Sequence, residues 1–224
     1  MADLFNDPFE TGDMSLWSAS QIGGGDLSVA TAAKLHGSYG LSVLINDTGA
    51  LWVRKDFASP NTRFRCRFYL DVNSLTMANN DDFTLTDGYN AAWTLAPFQV
   101  HLLRSGGAYY IYVADGTDGA WSKTTSSYAI TDEPCYIEVD WTAATAPLAN
   151  DGTFTLWIDG ILKETVTSVD SDTEDVSHFY LGATGGLDAG TSGTIYLDDF
   201  RCNSDGGLIG GLFPTPTIAL PGLG

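Results

Sequence analysis

Apolar and polar residues alternate over many short runs of this chain, and no stretch repeats its apolar residues at helical spacing. Successive side chains of a strand point to opposite faces, so a period of two marks a strand with one buried face, whereas a surface helix needs a period of about 3.6. The alternating runs fall at 41–45, 51–57, 63–71, 98–103, 109–113, 136–141, 154–158, 179–181 and 194–200, separated by Gly, Asp, Asn and Ser. Those separators favour tight turns. In "WIDGILKE", Asp159 and Gly160 stand between two runs and supply the residues that a two-residue type I′ hairpin needs. Many strands, frequent turns and no helix predict an all-β fold, a two-sheet antiparallel β-sandwich or jelly roll. One such domain, residues 1–202, accounts for most of the 224 residues, and 203–224 form an extended C-terminal tail.

The chain is strongly acidic, with 28 Asp and Glu against 10 Lys and Arg and a formal net charge of -18. Such a field repels phosphate backbones and anionic membranes, which argues against nucleic acid as a partner. Of the acids, 23 are Asp and five are Glu, a bias toward turns and hard-cation ligation that makes calcium the metal to look for. The start, "MADLFNDPFETG", has neither the basic nor the apolar region of a secretory leader. The expectation is a chain that acts where it is made or leaves by another route. Cys66, Cys135 and Cys202 are odd in number and widely spaced, against both a disulfide framework and a zinc site, and the first two fall in phase with apolar strand residues.

Three stretches, "DPFETGDMSLW" (7–17), "LHGSYGLSVLI" (35–45) and "GTIYLDDF" (193–200), resemble bacterial jelly-roll carbohydrate-binding modules. The run from "YIEVDWTAAT" through "GTFTLWIDGILKETV" to "GTIYLDDF" is similar to the laminin-G-like branch of the concanavalin-A-like fold. Together these cover most of residues 5–202. The resemblance implies a structural Ca²⁺ pinning the first strand to the last, held by Glu10 and Asp198 with Asp7 and Asp199 as helpers. The alternative is that Asp7 caps a turn and the Asp198–Asp199 pair faces solvent.

Catalytic patterns fail one by one. Glu138 and Asp140 share a strand face, but the laminarinase-type hydrolases of this fold carry a third acid in ExDxxE, and here that position is Ala143. Arg63, Arg65 and Arg67 also share a face, and cross-strand pairing with Glu138 and Asp140 is expected, with contact to an acidic glycan as the alternative. His36, His101 and His178 are dispersed, and no GxSxG elbow or phosphate-binding glycine loop is present. "DSDTED" (170–175) has Asp175 where a calcium-binding EF-hand loop needs glycine, and reads as a solvated acidic loop. A non-enzymatic protein is expected.

Aromatic faces stack on sugar rings, so Tyr110, Tyr112 and Trp121 in "AYYIYVADGTDGAWSKTTSSY" are the candidate glycan contacts, against the alternative that they pack within the sandwich or on a neighbouring chain. The tail "GGLIGGLFPTPTIALPGLG" has no charge, and Pro214, Pro216 and Pro221 interrupt it too often for a membrane span. Its Leu208, Ile209, Leu212, Phe213, Ile218 and Leu220 read as anchors of an assembly arm joining other protein subunits. With these features the expectation is a structural or adhesive virion component assembled in a host cytoplasm, such as a phage capsid-decoration or tail-associated protein. A free carbohydrate-binding module or lectin, extracellular or at the cell surface, is the alternative, and a polysaccharide-active enzyme of the same fold comes third.

Overall fold

The computed structural model describes residues 3–94, 96–117 and 120–212, with only the backbone described at 117 and 120–123. Its strands follow the alternation of the sequence: β1 (Asp3–Asp7), β2 (Ala19–Gln21), β3 (Leu27–Ala30), β4 (Gly40–Ile45), β5 (Leu51–Asn61), β6 (Arg63–Asp71), β7 (Asp82–Tyr89) and β8 (Phe98–Ser105). The second half adds β9 (Ala108–Thr117), β10 (Ala120–Thr124), β11 (Tyr128–Ile130), β12 (Cys135–Thr142), β13 (Gly152–Ile158), β14 (Ile161–Val169), β15 (Val176–Gly185) and β16 (Gly193–Asn203). Among the described residues the one helical turn is a 3-10 turn at Thr31–Ala33. All the strand pairs are antiparallel.

The strands form two eight-stranded sheets. In the first, the order is β14-β13-β12-β6-β16-β4-β3, with β1 also on β16; in the second it is β10-β9-β8-β7-β15-β5-β2, with β11 also on β9. Between them lies one apolar core, into which the inward set of each strand projects: Phe64, Cys66, Phe68 and Leu70 from β6, Ile137, Val139 and Trp141 from β12, Val100 and Leu102 from β8, and Phe179 and Leu181 from β15. Burying each such aliphatic or aromatic side chain is worth roughly 1.5–3 kcal/mol, which is why the alternation dictates the register. The β13–β14 hairpin turns on Asp159 and Gly160 at φ of 52° and 74°, the left-handed pair that a type I′ turn requires.

β7 lacks a plain alternation because it carries Thr, Asp and Gly (DFTLTDGY) and a register shift between Thr84 and Thr86. It nevertheless lies in the middle of the second sheet, between β8 and β15. The shift leaves Phe83 and Leu85 in the core while Asp87, opposite Gln99, and Tyr89, opposite His178, belong to the outer face.

Candidate functional site

The outer face of the second sheet carries an aromatic cleft. Trp52 on β5, Tyr89 on β7, Tyr180 on β15 and Trp93 on the loop after β7 surround a cavity of about 320 Å³, with Asp87 and Thr184 completing its lining. Cross-strand neighbours bring the rings together: Trp52 meets Tyr180 edge-on at 4.9 Å between centroids, and Tyr89 meets Tyr180 edge-on at 5.6 Å. Trp93 lies nearly parallel to His178 at 3.6 Å between centroids and stays 42% exposed. This loop is held in an unfavourable shape. Trp93 has φ of 61°, a left-handed conformation that bulky residues avoid, and Asn90 stabilises it by accepting from the Trp93 amide at its carbonyl and from the Thr94 amide at Oδ1, each at 3.0 Å.

Beneath Trp93, the Arg54 guanidinium sits 4.8 Å from the ring centroid and is paired with Asp56 at 2.8 Å. Asp56 also faces the His178 ring nitrogen at 2.7 Å. Asp87 lines the cleft at 5% exposure and accepts hydrogen bonds from Gln99 Nε2 and Thr184 Oγ1. Burial outweighs those bonds and raises its pKa to about 6. A carboxylate has about four lone-pair sites, so two donors leave Asp87 able to accept further hydrogen bonds from hydroxyl groups in the cleft. Flat apolar ring faces beside a buried acceptor are the surface that a sugar, with its CH faces and hydroxyl rim, can fill.

Tyr110 and Tyr112 occupy the outer face of β9 as their alternation predicts, both half-buried, but neither lines the cleft. Tyr112 donates to Asp82 at 2.6 Å and stacks on His101 at 4.6 Å, while His101 Nδ1 lies 3.1 Å from the same carboxylate. Burial lowers the His101 pKa and raises that of Tyr112, favouring the neutral form of both. Trp121 lies on β10 opposite Gly116, and its side chain falls outside the described residues. Sequence reasoning missed the cleft, although Trp52 and Tyr180 stand out of phase with buried neighbours (Leu51 and Val53; Phe179 and Leu181), which marks each as an outward aromatic.

The acids that the resemblance assigns to calcium do not converge, and among the described residues no three metal-ligating side chains form a group. Asp7 accepts from the Phe9 amide and from Trp17 Nε1, both at 2.7 Å. Glu10 accepts from the amides of Ser38 and Tyr39, which hold its pKa low. Asp198 accepts from the amides of Leu35, His36 and Asp199, yet burial raises its pKa to about 6. Asp199 faces Arg67 at 3.3 Å. Glu10 and Asp198 thus clamp the 35–39 loop by accepting from its amides, and a Ca²⁺ ion held here would share these carboxylates with those N–H donors. The first and last strands are joined by the β1–β16 ladder, the Arg201–Asp3 ion pair at 2.9 Å and the packing of Phe5 and Trp17 on Phe200.

On the first sheet the arginine row pairs with acids. Arg63 reaches Asp140 at 2.7 Å, Arg65 reaches Glu138 at 2.5 Å and Asp140 at 3.3 Å, but Arg67 turns to Asp199 rather than to Glu138 opposite it. The first part of the tail lies over this row. The amides of Ile209 and Gly210 donate to the fully buried Glu138 at 2.9 and 3.0 Å, the Leu212 amide donates to the Tyr69 hydroxyl at 2.7 Å, and Arg65 donates to the Gly206 carbonyl at 3.1 Å. Residues 206–212 therefore dock on their own sandwich. Gly206 allows this at φ of 71°, where a β-carbon would strike the Arg63 guanidinium. Leu208 and Leu212 remain 59% and 46% exposed, while Phe213, Ile218 and Leu220 lie outside the described residues.

No protein-family model and no curated protein matches the sequence. Among solved structures, the chain is similar to the cellulose-induced protein Cip1, with a TM-score of 0.62 and 15% identity over 89% of this chain and 97% of that one. It is also similar to the alginate lyase Aly36B in complex with alginate tetrasaccharide, at 0.55 and 11% over 91% and 93%. A third is the botulinum neurotoxin serotype D ligand binding domain in complex with N-acetylneuraminic acid, at 0.54 and 11% over 83% and 42%. A lyase and a binding domain share this architecture, so the fold alone assigns no activity. Two antiparallel sheets in this arrangement, shared with these neighbours, identify the fold as a concanavalin-A-like jelly roll.

Proposed function

We propose that this protein binds carbohydrate without transforming it, through the cleft on the outer face of the second sheet. The carrying observation is the set of four rings, Trp52, Tyr89, Trp93 and Tyr180, around a cavity with Asp87 at its wall. Hydrolysis needs an acid and a second carboxyl across the scissile bond, and among the described residues lining the cleft Asp87 is the only acid. The test is retention on a panel of polysaccharides by affinity electrophoresis, comparing the wild type with Trp93→Ala and Trp52→Ala, and Tyr110→Ala as a control on the same face. Loss of about 2 kcal/mol, some thirtyfold, is expected for either tryptophan, as for a central aromatic anchor, with little change for Tyr110→Ala. Unchanged retention of both tryptophan variants would refute the site, and release of new reducing or unsaturated ends from a bound polysaccharide would refute the non-catalytic role.

A second reading, attachment to a larger particle such as a phage virion through the tail, is favoured by the exposure of Leu208 and Leu212 on a segment otherwise docked. Co-sedimentation with candidate shells that disappears when the chain stops after Cys202 would support it, and equal co-sedimentation of the shortened chain would refute it.

A further inference from the structure

We infer that the cleft selects neutral, hydroxyl-rich sugars and rejects polyuronates and other acidic glycans. This rests on the cleft being the glycan site. Among the described residues, none of the six lining side chains is basic. The nearest guanidinium, Arg54, is already paired along one edge with Asp56, Nε at 2.8 Å and Nη2 at 3.0 Å, and its face is turned to Trp93 and Tyr180 at 4.8 and 6.0 Å. A uronate carboxylate would have to share this arginine with Asp56, and it would enter beside a second anion, Asp87. Neutral hydroxyl groups meet the opposite situation, because Asp87 is a charge-strengthened acceptor for them above about pH 6.

Six of the other cations are engaged elsewhere. Arg63, Arg65 and Arg67 lie on the opposite sheet, paired with Asp140, Glu138 and Asp199, and Arg65 is further engaged by the tail. Arg201 is paired with Asp3, Lys55 donates to the Leu16 carbonyl, and Arg104 stacks on Tyr109 at 4.5 Å. The net charge of -18 adds a long-range barrier to polyanions that is strongest at low salt. By geometry and by field, the acidic glycan is the disfavoured ligand.

The experiment is affinity electrophoresis of the full-length protein at pH 7.5 and low salt through gels containing a neutral β-glucan, a neutral mannan or alginate, repeated with Trp93→Ala and Asp87→Asn. Retention by at least one neutral polymer and none by alginate is expected, with both variants weakening the neutral interaction about tenfold or more. Retention by alginate that Trp93→Ala removes would overturn the selectivity and leave the cleft standing as a glycan site. Retention that Trp93→Ala does not change, with either polymer class, would overturn the site and the selectivity together, as would the absence of retention on every gel. Loss of neutral binding in Trp93→Ala with none in Asp87→Asn would refute the role of the carboxylate. Circular dichroism of each variant separates a local change from misfolding.

Discussion

Replacing Glu138 by Gln tests how the buried face of the first sheet and the tail depend on each other. Glu138 is fully buried, and its carboxylate receives Arg65 Nε and the Ile209 amide on Oε1 and the Gly210 amide on Oε2. Glutamine keeps the shape but removes the charge and aims an NH₂ at a group that is itself a donor. Breaking a buried ion pair by changing one partner costs about 3–5 kcal/mol, and one lost charge-assisted bond to the tail adds about 1.5–3 kcal/mol. Arg65 retains Asp140 at 3.3 Å, the Gly206 carbonyl and a stack over Trp157 at 4.3 Å, which offsets part of this. A net loss of about 3 kcal/mol is expected, lowering Tm by roughly 6–12 °C for a domain of this size. Urea unfolding gives the energy, and hydrogen exchange at Ile209 and Gly210 shows whether the tail has been released. The same substitution in a chain stopped after Asp205 completes a double-mutant cycle, in which Glu138→Gln should cost about 1–2 kcal/mol less. Equal cost in both backgrounds, or unchanged exchange at the two amides, would refute the coupling.

Burial raises the Asp87 pKa from 3.8 to about 6, so between those values the folded chain binds this proton more tightly than the unfolded chain, and stability falls as pH rises through that window. The wild type should therefore gain on acidification from pH 7 to 4.5, by up to about 2 kcal/mol from this group, and Asp87→Asn should flatten that part of the urea-midpoint profile. Asp198, also raised to about 6 by burial, should preserve a second component of the same sign in that variant; an Asp87→Asn profile parallel to that of the wild type would count against the Asp87 contribution. All three thiols are buried, and burial pushes the Cys135 pKa up to about 12. A disulfide reagent should label none of them in the native state and all three in denaturant, and fast native labelling would contradict the packing of Cys66 opposite Cys202.

The strand faces were legible where one residue type dominates each side. In β6, Arg63, Arg65 and Arg67 alternate with Phe64, Cys66 and Phe68, and in β12 Glu138 and Asp140 alternate with Ile137, Val139 and Trp141; both pairs of faces are as the alternation requires. β7 was not legible because its outer residues are Thr, Asp and Tyr and its register shifts at Thr84–Thr86, which breaks the period of two. That omission mattered, since β7 supplies Asp87 and Tyr89. For the calcium set, the motifs were recognisable, but their geometry depends on where the 35–39 loop aims its amides, and that loop meets Glu10 and Asp198 only in the folded chain.

What the sequence alone determined about this protein is the all-β class, the inward and outward sets of most strands, the Asp159–Gly160 hairpin and the acidity of the surface. These follow from local chemistry: side-chain direction alternates along any strand, turn residues act over two positions, and charge is a sum. The tertiary structure decided which strands became neighbours, and with that the cleft, whose walls come from positions 52, 87, 89, 93, 180 and 184. It also decided that residues 206–212 close over Glu138 and Arg65, burying a row whose alternation alone reads as a solvent face. Long-range pairing depends on the free energy of the whole core, so it leaves little trace in any one segment.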